Sequence, residues 1–469
     1  MVHNAKSGRT QRFLQLAVSV LQRTFLLGAL CSGVPPRTAA QEADTSVTLP
    51  AYTLPDCIAY AMDHQPEVHQ ASIGISVAKT ENAISLSGWL PQVGLTGSLL
   101  HYNRLPTTLE PNPAAPGGPP VATHVGVVNT ATPQLSASET LFDPSLLYAA
   151  RSAPLHTEQA EQALDSVRIG IVAAVSKTFY NLFLTLQQVD VLKEDTSRLG
   201  QDVADAFHQY VGGIADETDY QQAVITLNNT KAQLKQEEEN EAPAEALLKQ
   251  AMGYPAGKTL NVVCDTARMM HEIAYDTTRP LDYERRIEYR QLQTARELQR
   301  RQTEFYELSF LPSIAISYNY VYEFESNTAP ALFRNAYPYS LIGLSVTLPI
   351  FTGFSRIESI HRSVLQEEAQ DWAEAALRSQ IYAEYSSAMA AYKGSLYNLR
   401  LLEENKARAA SVYRVVSLQY KQGVVSYLNI IVAETNLITA EIGYTDALFQ
   451  VLASKIDLEK AMGDIPTNQ

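Results

Sequence analysis

The residues of this chain best equipped for chemistry are nine histidines and three cysteines, and they build no reactive set. The closest histidine pair, His64 and His69, spans Pro66, which spoils a ligand pair on one helical face. There is no GxxxxGK phosphate loop, no GxSxG nucleophile turn and no HExxH zinc pair. EEENE (Glu237 to Glu241) reads as a solvated helix face, and seven methionines give no soft-metal relay. No catalytic residue, metal or cofactor is expected, and the chain is expected not to be an enzyme. The remaining candidates are turn glycines, an aspartate beside one of them, and strands with one apolar face. Their use depends on the elements that carry them.

The first 40 residues hold no Asp or Glu but carry Lys6, Arg9, Arg12, Arg23 and Arg37 around two apolar runs, the layout of a secretory signal. A signal peptide over 1–40 ends in the small residues Thr38 to Ala40. Its removal takes five positive charges from a net −14 and leaves −19, a balance that argues against nucleic acid as a partner. Cys31, Cys57 and Cys264 are too few for a disulfide framework. Cys31 is a candidate lipid-anchor site, although the bulky Leu30 precedes it; the other reading is a cysteine lost with the signal. Beyond residue 50 no run of eighteen apolar residues occurs, so any membrane crossing is expected to use strands.

The chain is written twice. GWLPQVGLTGSLL from Gly88 is echoed by SFLPSIAISYNYV from Ser309, and TLFDPS from Thr140 by PIFTGF from Pro349. YVGGIADETDYQQAVITL from Tyr210 is echoed by YKQGVVSYLNIIVAETNL from Tyr420, and LKQAMG from Leu248 by LEKAMG from Leu458. Gly213 to Gly423 and Gly253 to Gly463 are both offsets of 210. Each half therefore reads as helix, two strands, long helix, tight turn and returning helix. The expected divisions are a first repeat over 41–253, a linker over 254–280, a second repeat over 281–463 and a tail over 464–469.

In the first half the opening helix is predicted from Pro55 to about Ser87. Strands follow over Pro91 to His101 and Val125 to Thr140, around a proline-rich exposed loop from Arg104 to Pro120. The long helices are predicted over Ser145 to Tyr210 and Ser355 to Tyr420, and some 65 residues make about 100 Å of helix. Leu164 to Leu192 in the first half repeat apolar residues in steps of three and four, and so does the returning helix through Leu428, Ile431, Thr435, Ile438, Ile442, Thr445, Phe449, Leu452 and Ile456. This is coiled-coil patterning, and the stripes are read as packing. Gly213 and Gly423 end long helices at reversals, where a left-handed residue is favoured.

In FLPSIAISYNYVYEF, Ile314, Ile316, Tyr318 and Tyr320 alternate with small or polar residues, and Ile342, Leu344, Val346 and Leu348 do the same further on. These eight are the expected lipid-facing set. Four strands cannot close a membrane barrel alone, and open edges in lipid strand unpaired backbone groups. Either the strands form a small soluble sheet, or several chains pool them; three chains would give twelve.

The duplicated plan resembles the TolC-type outer-membrane efflux proteins, from Leu54 to Gly463. The tandem Tyr-x-x-Gly turns, the junctions TLFDP and LPIFTG, and the two AMG helix ends carry the resemblance. It implies a mainly α fold with a β-barrel contribution: a homotrimer whose twelve strands form one outer-membrane barrel, continued by a long periplasmic helical tunnel. It also implies a periplasmic adaptor and an inner-membrane pump as partners, outer-membrane lipid around the barrel, and a belt made by the linker. The tip, where the tunnel narrows and the adaptor docks, falls at 212–219 and 422–429. In such tips an Asp of the first turn pairs with Tyr and Arg of the second; Asp219 and Tyr420 match, whereas Val425 stands in the Arg position. Asn429 and Val432 replace the constriction aspartates. Gating is thereby expected to rest on packing or on Asp219, whose other reading is a turn residue or helix cap. The reading that follows is a passive exit duct opened at its tip. The alternatives are a periplasmic coiled-coil scaffold or adaptor with a soluble sheet, and a stand-alone porin that would leave the helices without purpose.

Overall fold

The computed structural model describes residues 51–111, 117–263, 269–270 and 273–466. The expected signal peptide, Cys31, Cys264 and the last three residues of the tail lie outside them.

A short strand β1 (Ala51–Tyr52) leads into α1 (Leu54–His64) and α2 (Pro66–Leu86). The sequence reads as one helix here. Pro66 divides it, because proline disfavours helical backbone in the residue before it, and Gln65 is extended at φ −69 and ψ 122. The entry is capped: the Thr53 N–H donates to Asp56 Oδ2 at 3.0 Å. Next come β2 (Gln92–His101), β3 (Thr107–Glu110), β4 (Val121–His124) and β5 (Asn129–Phe142). The proline-rich stretch, expected to be plain loop, thus includes β3, which pairs with β4 just beyond Pro120 as an antiparallel hairpin. The second strand starts four residues later than expected and runs two residues further, to Phe142.

Helix α3 (Pro144–Val211) is 68 residues long. Pro144 opens it and the Asp143 side chain accepts from the Ser145 N–H at 2.8 Å. It reverses into α4 (Glu217–Met252). Strand β6 (Asn261–Val262) pairs in parallel with β1. The second repeat supplies α5 (Ile287–Leu308), β7 (Ser313–Ser326), β8 (Ala336–Thr347), α6 (Ser355–Lys421, 67 residues) and α7 (Tyr427–Met462). At 1.5 Å per residue, α3 and α6 each span about 100 Å.

The long strands form one antiparallel sheet in the order β2-β5-β7-β8. The main core is built where α3, α4, α6 and α7 meet the linking segment, around Phe179, Leu248, Met252, Tyr392, Leu458 and Met462. A buried Phe or Leu of this kind contributes about 1.5–3 kcal/mol. Cys57 is a free thiol within this core, and burial pushes it up to about 12.

Burial corrects one expectation and supports another. Leu428 is 65% exposed and Thr435 is exposed, whereas Tyr427, Ile430, Ala433, Glu434 and Leu437 are buried. The seam of α7 toward its own chain is therefore offset by one residue there, because the helix has two apolar faces and only one meets the rest of this chain. Second, α3 has a stretch long and apolar enough to cross a membrane. Its apolar residues Ile171, Val175, Phe179 and Leu182 are buried against neighbouring elements, so that stretch is a core helix.

Candidate functional site at the helical tip and on the sheet

Both long helices end in the same left-handed turn. Gly213 has φ 69 and Gly423 φ 73. The Ile214 N–H reaches back to the Gln209 carbonyl and the Val424 N–H to the Gln419 carbonyl, each at 2.9 Å, while the glycine N–H groups bond to Tyr210 and Tyr420. These paired bonds satisfy carbonyls that the helix leaves open, and they need a left-handed residue at the glycine position.

Behind the turns lies a small core of Ala206, Ala223, Tyr420, Tyr427 and Ile430, with Val425 packed against it. Tyr420 and Tyr427 meet edge to face at 5.4 Å, and neither hydroxyl has a hydrogen-bond partner among the described residues. Burial, with Asp219, Asp205 and Asp202 nearby, pushes the Tyr420 phenol up to about 12. Asp219 lies half-buried in the first turn of α4, where an acid suits the helix dipole, and burial and Asp216 raise its carboxyl. The structure thus brings Asp219 into electrostatic range of Tyr420 without joining them by a hydrogen bond. Asn429 is exposed, its side-chain amide donating to Ser426 Oγ at 3.0 Å, and Val432 is 53% exposed.

Some tip residues escaped the reading of the sequence. Asp195, Arg198 and Asp202 of α3, Tyr413 of α6 and Glu434 of α7 form a buried polar cluster. Arg198 pairs closely with Asp195, its Nε stands 3.5 Å from Glu434 Oε1, and its guanidinium lies 4.9 Å from the Tyr413 ring centre. The Tyr413 hydroxyl donates to Asp202 at 3.1 Å. A signal was present: continuing the apolar stripe of α3 past Leu192 gives Asp195, Leu199, Asp202 and Ala206, in steps of three and four, all buried. Acids at core positions of such a stripe are costly and mark special sites.

On the sheet, register sets the faces. Ile314 pairs with Val346, Ile316 with Leu344 and Tyr318 with Ile342. Across the other strands Tyr318 pairs with Ala137, which pairs with Val93, and Tyr320 pairs with Leu135, which pairs with Leu95. Directly paired residues point to the same face. One apolar face therefore runs over all four strands, interrupted by Glu139 beside Ile316. The other face carries Thr96, Ser136, Ser317, Asn319, Gly343 and Ser345. Ile342 is 73% exposed and Leu344 65%. Tyr318 is exposed too, while Ile314, Ile316 and Tyr320 are partly covered by neighbouring side chains. Leu348 is exposed, one residue past the end of β8.

The outer membrane efflux protein family matches residues 58–254 and 284–464. No curated protein sequence matches the chain. Among solved structures, CusC has a TM-score of 0.73 at 17% identity, covering 87% of this chain and 91% of that one. The outer membrane protein VceC of Vibrio cholerae has 0.67 at 15% identity, covering 87% and 96%. The MtrE outer membrane channel of Neisseria gonorrhoeae, solved in an open state, has 0.67 at 17% identity, covering 92% and 98%. These likenesses are of fold. The chain belongs to the outer membrane efflux protein family and is an outer-membrane exit duct.

Proposed function

We propose that three copies of the chain pool their sheets into one barrel of twelve strands, each chain giving four. The observation that carries this is an apolar face that crosses all four strands, broken at Glu139 and Ser340, on a sheet whose two edge strands, β2 and β8, have no partner among the described residues. In an antiparallel order of four, β2 and β8 run in opposite directions. Joining β8 of one copy to β2 of the next therefore continues the antiparallel pattern and closes head to tail, which removes every edge from lipid. The apolar face, including Ile314, Ile316, Tyr318, Tyr320, Ile342, Leu344 and Val346, contacts lipid, and the face of Asn319 and Ser345 lines the pore. Leu348 marks the boundary where the strand gives way to the helical tunnel.

The helices carry the conduit into the periplasm, and the hairpin of β3 and β4 lies outside the cell. The described residues of the linker, 254–263, 269–270 and 273–280, join the repeats as a belt around the tunnel. At the tip, Gly213, Gly423, Asp219, Tyr420 and Val425 hold the turns that an adaptor engages, with Asn429 and Val432 toward the constriction. An inner-membrane pump supplies the energy, and the duct itself passes substrate without chemical change. The native mass of the detergent-extracted particle tests the assembly: three chains are expected, and a single chain per particle overturns the pooled barrel. Gly423→Val, which forces a β-branched residue into left-handed backbone, is expected to block export from assembled particles. Normal export in that variant removes the tip as the moving part.

A further inference from the structure

Three buried carboxyl groups share one arginine behind the tip. Glu434 is 0% exposed, Asp195 1% and Asp202 6%, all within a single chain, so their burial does not depend on a neighbouring copy. Neither Glu434 carboxyl oxygen has a hydrogen-bond partner among the described residues. Its nearest cation is Arg198 at 3.5 Å, already in close contact with Asp195. A buried carboxylate whose nearest cation stands at 3.5 Å and is shared with a second acid is poorly compensated, and burial then favours its protonated form.

We propose that this cluster is a proton-operated clamp on the tip: the closed packing of α3, α6 and α7 keeps a proton on Glu434, and separation of these helices lets water in and releases it. The proposal rests on the tip being the moving end. Glu434 faces Asp195, Arg198 and Asp202 of α3 and Tyr413 of α6, with Tyr427 and Glu441 on its own helix. Beyond these, Lys421 stands 3.6 Å from Asp205, and Lys406 acts on Glu441. The 210-residue offset places Val224 of α4 level with Glu434, and residues 221–230 of that helix include no ionisable side chain.

Burial, then repulsion from Asp202, raises the Glu434 carboxyl from the ordinary 4.5 to about 8, with Arg198 opposing. A hydrated Glu434 in the opened tip returns toward 4.5. Between those values the closed state holds one proton more than the open one. Raising the pH through this window therefore favours opening, by up to about tenfold per unit, and the effect levels off above about 8.

The test combines infrared titration with channel conductance of the purified, assembled protein in planar bilayers. The expected result is a protonated-carboxyl band at neutral pH that disappears above about 8. Open probability rises by up to about tenfold per pH unit up to that plateau. In Glu434→Gln the band is missing and the slope falls by one proton. Two further variants serve if Glu434→Gln fails to assemble: Arg198→Gln moves the midpoint upward, and Asp202→Asn moves it downward. Absence of the band at neutral pH, or an unchanged slope in Glu434→Gln, overturns the clamp. If Gly423→Val leaves export intact, the tip gate fails instead, whatever the infrared titration shows.

Discussion

The shorter helices α4 and α7 end at Gly253 and Gly463 in the same paired-bond turn that ends α3 and α6 at Gly213 and Gly423, with φ values of 67, 70, 69 and 73. What surrounds the turns differs. A Cβ on Gly253 would meet the His64 carbonyl oxygen at 2.8 Å, and one on Gly463 the Arg285 carbonyl oxygen at 2.6 Å, whereas one on Gly213 or Gly423 would meet nothing within 4 Å among the described residues. Past Gly463, Asp464 accepts from the Tyr275 hydroxyl at 2.5 Å and Arg279 at 3.0 Å, and Arg285 lies 2.9 Å away. Buried Arg286 donates to the Ala461 carbonyl at 3.1 Å and to Glu384 at 2.7 Å. Near Gly423, by contrast, the hydroxyls of Tyr420 and Tyr427 make no hydrogen bond among the described residues, and Glu434 is approached by Arg198 Nε at 3.5 Å without a hydrogen bond. One local motif thus ends four helices in two surroundings, closely enclosed at Gly253 and Gly463 and open at Gly213 and Gly423.

Substitutions can break this contrast. The largest effect is expected for Gly463→Ala, where left-handed strain and a backbone clash together cost about 2–5 kcal/mol in thermal stability of the assembled protein. Next comes Asp464→Asn, which leaves Arg279 and Arg285 without their carboxylate at a cost of about 1.5–3 kcal/mol. Gly423→Ala is smallest, about 1–2 kcal/mol from backbone strain alone. Equal losses at Gly463 and Gly423 would erase the distinction between the ends. A larger loss at Gly423 would reverse it.

Much of the fold was legible because duplication repeats its marks. The spacing of 210 between Gly213 and Gly423 placed both reversals, and the long helices came within about two residues of their ends. Alternation at Ile314 to Tyr320 gave the apolar face. Three features were hidden for physical reasons. Prolines between Arg104 and Pro120 suggested loop, yet Thr107–Glu110 and Val121–His124 flank them and pair as a hairpin. On α7, apolar residues cover two faces, so periodicity alone could not say that Tyr427 and Ile430 turn inward while Leu428 does not. Asp195 and Glu434 are charged residues on helices, a type that is solvated in most settings; only their place among the buried positions reveals them. The paired reading of Asp219 with Tyr420 came from resemblance; Tyr420 meets Tyr427 edge to face, with Asp219 in electrostatic range.

The central claim, that one face of this sheet meets lipid as part of a pooled barrel, is tested most directly by tryptophan quenching with brominated lipids. Trp89 and Trp372, the two native tryptophans, are first replaced by Phe, and single reporters are introduced as Leu344→Trp and Ser345→Trp. These neighbours point to opposite faces of β8. Strong quenching at 344 and little at 345 is the result the pooled barrel predicts. Equal quenching at both, or none at either, would contradict it.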